Sequence, residues 1–254
     1  MLSLFKNLAL WVHSEHSRLY SLYKFKESKV KTNQPLTALE RDFYLKLRST
    51  LQGEKLVVYD IGAANGVVTG CLMKLENVAA IYAFEPIPDV YKQLENYTKS
   101  SKKVNCYNIA LGDTNGSTLM YVSSKSDSSS ILPMANVHVE QFPGTETQSA
   151  IDVRITRLDD FVKDNSLPLP DVVKIDVQGF EKNVIDGGIN TISKSKYCIL
   201  EMSLQLLYAG TPLFDEVYQL MVSLGFRLIA FSNPLTGKSG TQLQVDGIFE
   251  NRNS

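Results

Sequence analysis

The run Leu56-Val57-Val58-Tyr59-Asp60-Ile61-Gly62-Ala63-Ala64-Asn65-Gly66-Val67-Val68-Thr69 limits what this chain can fold into more than any other. Its start is short, apolar and β-branched, the pattern of a strand buried on both faces of a parallel sheet. The strand reaches an acid, Asp60, and the chain then passes through Gly62, Asn65 and Gly66. Such residues tolerate φ > 0 or leave bare backbone for a ligand. A helix is expected from about Val67. Strand, glycine-rich turn and helix N-terminus together form a common seat for a nucleoside-type cofactor.

The spacing of the glycines narrows the cofactor. A dinucleotide fingerprint needs G-x-G-x-x-G, whereas the run from Gly62 reads G-A-A-N-G-V. A phosphate-cradling loop needs G-K-[ST], and no Lys follows Gly66. What remains is an acid at a strand tip before G-x-x-x-G, suited to a ligand without a pyrophosphate. About twenty residues on, Ala79-Ala80-Ile81-Tyr82-Ala83-Phe84 forms a second buried strand that ends in Glu85-Pro86. In a doubly wound sheet, an acid at the second strand tip meets the ribose hydroxyls of a nucleoside. The competing reading is that Asp60 and Glu85 only cap the helices that follow.

The length of 254 residues suits one large α/β domain with an appendage. Charged residues make up 21% of the chain and the formal net charge is −1, without the basic footprint of a nucleic-acid binder. The cysteines, Cys71, Cys106 and Cys198, are far apart, odd in number and set in apolar context. They read as buried thiols of a reducing compartment, which suggests a cytoplasmic location, and not as a disulfide framework or zinc site. With His13, His16 and His138 as the only histidines, histidine-rich metal chemistry is not expected.

No uninterrupted apolar segment is long enough to span a membrane. Met1 to Val12 makes a poor signal peptide, being short, carrying Lys6 and lacking a small-residue cleavage site. Leu4, Leu8, Trp11 and Val12 recur at helical spacing, and six basic residues stand against Glu15 and Glu27 over the first 31 positions. This helix either packs on the domain with a solvated basic face or makes weak peripheral contact with an anionic membrane. Thr37 and Glu40 have capping-box spacing ahead of a second helix, with Phe43, Tyr44, Leu47 and Leu51 as its stripe and Gly53 at its end.

From Leu56 onward strands and helices alternate. Further strands are expected over 104–109, 118–122, 151–156, 171–176, 197–202, 226–231 and 245–249, with helices over 88–100, 158–163 and 213–224 and one starting near Phe180. The polar Ser232 to Gly240 turn holds no helix, so the last strand must run antiparallel to its neighbour. The segment Ser123 to Ser149 is rich in Ser, Asn, Gly, Pro and Thr and reads as a lid, a binding loop or a disordered stretch.

Five blocks occur in an order that resembles one family. They are Asp60-Ile61-Gly62-Ala63-Ala64-Asn65-Gly66, Phe84-Glu85-Pro86, Ala110-Leu111-Gly112-Asp113, Arg157-Leu158-Asp159-Asp160 and Lys174-Ile175-Asp176-Val177-Gln178-Gly179-Phe180-Glu181. Together they resemble the FkbM-type family of S-adenosylmethionine-dependent methyltransferases, over roughly residues 55 to 250. The resemblance implies an α/β fold: a doubly wound, Rossmann-like seven-strand sheet, mostly parallel with an antiparallel last strand, over 54–254. Residues 1–53 would form an N-terminal helical cover. It also implies O-methylation of a hydroxyl on a sugar, glycan or secondary metabolite, with S-adenosyl-L-methionine as the cofactor; the visible ligand set is too thin for a metal to be expected. Position 178 is Gln where many members carry Glu, and no acid–base role is assigned to it.

In this reading Gly62 and Ala63 let the methionyl part of the cofactor lie along the first turn, with Asp60, Asn65 and Gly66 beside it. Glu85 accepts from the ribose hydroxyls, Pro86 follows it, and Ala110 and Leu111 border the adenine. Ser129 and Ser130, with Ser128, match a serine-rich position of the family and hydrogen-bond cofactor or acceptor, unless they are ordinary loop serines. Asp176, supported by Lys174, is the candidate for the acceptor's proton. The alternatives there are a structural buried ion pair, or a divalent ion shared with Glu201. Two other functions stay open: a catalytically silent cofactor-binding module, and a nicotinamide-dependent oxidoreductase, against which the missing G-x-G-x-x-G counts.

Overall fold

The computed structural model describes residues 55–232, 234–238 and 240–253. The two expected N-terminal helices and the Thr37–Glu40 capping box lie outside the described residues. The apolar run at the centre of the sequence forms β1 (Leu56–Ile61), and its neighbours follow in alternation with helices. These are α1 (Val67–Met73), β2 (Val78–Phe84), α2 (Pro88–Thr98) and β3 (Val104–Tyr107). After an excursion described below come β7 (Val172–Ile175), helices α5 (Glu181–Gly187) and α6 (Ile189–Ile192), and β8 (Tyr197–Ser203). The chain closes with α7 (Phe214–Ser223), β9 (Phe226–Phe231), the two-residue β10 (Leu235–Thr236) and β11 (Gln242–Asn251).

The main sheet runs β3-β2-β1-β7-β8-β11, with β9 and β10 both on the far side of β11. Strands β3, β2, β1, β7 and β8 are parallel, and β11 is antiparallel to both β8 and β9. That is the expected doubly wound sheet of seven main strands, with β10 as a short continuation beside β9. The order reverses at β1, which pairs with β2 on one side and β7 on the other. A crevice at the carboxyl ends of the strands flanking such a reversal is where open α/β sheets bind ligands. An aromatic cluster stiffens that half of the sheet: Tyr82 and Phe84 each stack on Tyr107, Tyr59 meets both at a tilt, and Phe161 meets Phe84 and Tyr107 edge-on.

Several expected boundaries move. The third strand stops at Tyr107, not Ile109, and Ala110–Gly112 becomes β4 in a separate sheet. That sheet has the order β4-β6-β5, where β5 is Gly116–Ser123 and β6 is Thr147–Arg157. Helix α4 (Leu158–Asp164) follows β6 and leads back to the main sheet. The segment Ser123 to Ser149 is no bare loop: it holds a 3-10 turn (Ser126–Ser128), α3 (Asn136–Gln141) and the first residues of β6. Buried His138 and Thr145 anchor it, one bonded to the other. Cys71 and Cys198 are buried and Cys106 is only half-buried; no disulfide joins any of them. Among the described residues no helix is long and apolar enough to cross a membrane.

Candidate active site

The turn after β1 and the turn after β7 come together at the point where the sheet order reverses. Gly62 has φ +74°, and a Cβ placed there would lie 1.9 Å from the Asp176 carbonyl oxygen. Only glycine lets the two turns close on each other. Gly66 has φ +90° at the N-terminus of α1, and a Cβ on it would meet the side chains of Leu94 and Tyr97. The second turn places Gln178 (φ 56°) and Gly179 (φ 96°) in left-handed backbone conformations. Glu181 holds that shape by accepting the Val177 and Gly179 N–H groups at 3.0 and 3.1 Å. Burial pushes the Glu181 carboxyl up to about 7, against the lowering effect of those N–H donors.

Two cavities open at this junction and share Gly62, Ala64, Asp127, Asp176 and Gln178 in their linings. The smaller, of about 90 Å³, is mostly apolar: Phe84, Ile87, Ala110, Leu111, Met120 and Phe180 form its walls, and Glu85, Pro86 and Ser129 border it. The larger, of about 450 Å³, has most of the charged and hydrogen-bonding side chains of the site in its lining. Its lining includes Ala63 and Asn65 from the first turn, Lys125, Ser128 and His138 from the segment after β5, and Lys174, Asp176, Gln178, Glu201, Gln244 and Asp246.

Glu85 is buried and already committed on both oxygens: Oε2 accepts the Ala64 N–H at 3.0 Å and Oε1 the Ile87 N–H at 2.8 Å. Burial raises its carboxyl to about 7, and the two N–H groups limit the rise. Each oxygen keeps a lone pair for a further donor. Asp60, expected beside a ligand, lines neither cavity. It is fully buried, accepts the Thr69 hydroxyl at 2.5 Å, and lies 3.5 Å from the Lys174 ammonium, its direct cross-strand partner in β7. Gly66 and Ser130 likewise stand behind the surface. Ser130 donates to the Gln178 carbonyl and accepts the Leu132 N–H, while Ser129 accepts the Ser123 N–H. These serines brace the turn that presents Gln178.

Lys174 reaches between three acceptors: Asp176 at 3.3 Å, Asp60 at 3.5 Å and the Gly62 carbonyl at 3.1 Å. Burial alone would lower its pKa, but Asp176 and Asp60 outweigh burial and hold it above its ordinary value. Asp176 lies one residue past the end of β7, not inside the strand, and its side chain is 34% exposed to the cavities. Like Asp127 it lines both cavities, and it is paired from behind by Lys174.

The sequence concealed the centre of the polar network. Gln178 donates its amide to Asp176 at 2.9 Å and to Glu201 at 2.8 Å, and accepts the Tyr208 hydroxyl at 2.8 Å. Tyr208 also meets His138 at 3.3 Å, and Gln244 donates to Glu201 at 2.8 Å. Glu201 lies within β8, not at its tip, and burial together with Asp176, Glu181 and Asp246 pushes its carboxyl well above the ordinary range. Burial lowers the pKa of His138, which sits at the far end of this network. The Gln178 N–H₂ thus stands between the two carboxylates considered for a shared cation, and bonds to both. A signal for Gln178 was its place inside the Lys174–Glu181 block; nothing local pointed to Tyr208 or His138.

Comparison with known proteins adds chemistry to this geometry. A profile described as the methyltransferase FkbM domain matches residues 60–228. The chain is 27% identical over 188 residues to the 2-O-methyltransferase NoeI of Sinorhizobium fredii, covering 72% of this chain and 76% of that protein. It is 26% identical over 147 residues to the hexuronic acid methyltransferase AglP of Haloferax volcanii, covering 58% of this chain and 55% of that one. Among solved structures, a protein of the NADB-Rossmann superfamily from Streptococcus agalactiae superposes with a TM-score of 0.50 at 11% identity, covering 87% of this chain and 70% of that one. At that identity the likeness is one of fold.

Proposed function

Because the chain belongs to the FkbM methyltransferase family, we propose that it transfers a methyl group from S-adenosylmethionine to a hydroxyl of a saccharide. The enzyme class and the cofactor follow from the family; the acceptor and the roles of individual residues are our reading. NoeI is a 2-O-methyltransferase and AglP a hexuronic acid methyltransferase, which supports a sugar hydroxyl as acceptor.

The residues present fit the cofactor. Among the described residues no basic side chain lines the smaller cavity, which has apolar walls and an acid at its edge. That donor set suits an adenosine, and it would not hold the pyrophosphate of a dinucleotide. Glu85 would take the ribose hydroxyls on its remaining lone pairs, and Ala110, Leu111 and Phe180 would flank the adenine. Gly62, Ala63 and Ala64 would border the methionyl part beside Asp176. The bound cofactor supplies an already activated methyl group, so the protein's tasks are alignment and handling of the acceptor's proton.

Asp176 is placed for that proton. Its carboxylate lines both cavities at their junction, with the Lys174 ammonium 3.3 Å behind it. Gln178 and Lys174 fix its orientation from two sides. This position at the junction is the observation that carries the reading. The three thiols outside any disulfide fit a reducing, cytoplasmic setting. The test is transfer of an isotopically labelled methyl group into a pool of glycans and hydroxylated metabolites. Asp176→Asn keeps the shape and removes the base, and should lower turnover by roughly 10²–10⁴-fold. Cofactor affinity and cooperative melting should stay near those of the parent. Turnover at the parent rate would place the base elsewhere, and loss of folding would make Asp176 structural.

A further inference from the structure

The charge distribution around the larger cavity discriminates among saccharides. Among the described residues its lining carries four acids, Asp127, Asp176, Glu201 and Asp246, and two lysines, Lys125 and Lys174. Lys174 is buried between Asp60 and Asp176, so its charge is already met from within the protein. Lys125 is exposed, two residues from Asp127 at the mouth. Among the described residues no arginine lines the cavity, although a planar guanidinium is the usual fork for a carboxylate. The neutral lining groups, among them Asn65, Ser128, Thr145, Gln178 and Gln244, are hydrogen-bonding partners for hydroxyls.

Resting on the saccharide reading above, we propose that the acceptor is a sugar with no anionic group on the reacting ring. An amino sugar would be taken at least as well as a neutral one and a uronate rejected. A sugar carboxylate brought into this cavity would face a net excess of like charge in a partly dehydrated space and would find no unshared buried cation among the described residues. A neutral sugar meets only the hydrogen-bonding groups, and an ammonium group is attracted by the surplus acid. Even with Glu201 and Asp246 left out of the balance, Asp127 and Asp176, with Asp60 behind, outnumber Lys125 and Lys174. The acceptor chemistry inferred here therefore differs from that in the name of AglP, a 26% identical relative.

The experiment loads the full chain with S-adenosylhomocysteine and measures binding of three methyl glycosides by ligand-observed NMR: a neutral hexose, a 2-amino hexose and a hexuronate. Labelled methyl transfer to each runs in parallel. The expected result is that the neutral or amino sugar engages at least tenfold more strongly than the uronate. The gap should shrink as salt is raised, because exposed charges are screened. Asp127→Arg, an exposed change at the cavity mouth, should narrow the gap at least threefold. A uronate that binds within tenfold of the others, or a gap insensitive to both salt and Asp127→Arg, overturns the inference. So does a protein that binds S-adenosylhomocysteine but none of the sugars. Failure to bind S-adenosylhomocysteine is a separate result and sinks the methyltransferase reading itself.

Discussion

Glu85 shows how much a single side chain does here and how little of that its position in the sequence discloses. Its place after β2 marked it as a ribose acceptor, yet its two oxygens also clamp the Ala64 and Ile87 N–H groups. The carboxyl is raised to about 7 by burial, against an ordinary 4.5. Between those values the folded chain holds a proton that the unfolded chain has lost, so this group's contribution to stability falls as pH rises from about 4.5 to 7. Glu85→Gln should make the measured decline of stability across that window shallower; Glu181, raised for the same reason, leaves part of it in place. A decline of unchanged slope in denaturant melts would show that Glu85 titrates normally. Asp60 illustrates the opposite error. An acid near a strand tip is visible in a sequence, but the direction of its side chain is set by the neighbouring strand. Cross-strand pairing with Lys174 turns Asp60 inward. Gln178 was inconspicuous because its partners, Glu201 and Tyr208, lie 23 and 30 residues away.

Among elements, the turns after β1 and β7 matter most, since they make the cavity junction. Gly62→Ala would require both a strained left-handed φ and displacement of the Asp176 carbonyl. Gly144→Ala would meet the same kind of backbone strain (φ +84°) with nothing within 4 Å. In thermal melts Gly144→Ala should cost about 1–3 kcal/mol and Gly62→Ala clearly more, with loss of cofactor binding. Equal losses would mean that the close approach at Gly62 is unimportant. The segment 123–149 is the other decisive element. Its polar composition made it resemble a loose loop, because helix α3 is too short to display a stripe and the segment's buried residues, His138 and Thr145 among them, are polar. Replacing 134–147 with a short Gly-Ser linker should weaken acceptor use while leaving cofactor affinity within a few-fold. An unchanged acceptor KM in that variant would remove the segment from the acceptor side. The alternation of apolar strands made the main sheet legible. Two strands of the smaller sheet were legible, over 118–122 and 151–156, but their separation from the main sheet was not, because β4 follows β3 after only Asn108 and Ile109.

Over the whole molecule, the parallel sheet with its antiparallel closing strand supplies one reversal of strand order, and both cavities lie there. The central claim is that the apolar cavity beside Glu85 seats an adenosine, with the methyl donor directed towards Asp176. Calorimetric titration of S-adenosylhomocysteine tests it most directly, with NAD as the control ligand, on the parent chain and on Glu85→Ala. The claim predicts saturable binding of S-adenosylhomocysteine and none of NAD. In Glu85→Ala the affinity should fall by an amount equivalent to losing a charged hydrogen-bond acceptor, about 1.5–3 kcal/mol. Binding of NAD in preference to S-adenosylhomocysteine, or an affinity for S-adenosylhomocysteine untouched by Glu85→Ala, would contradict it.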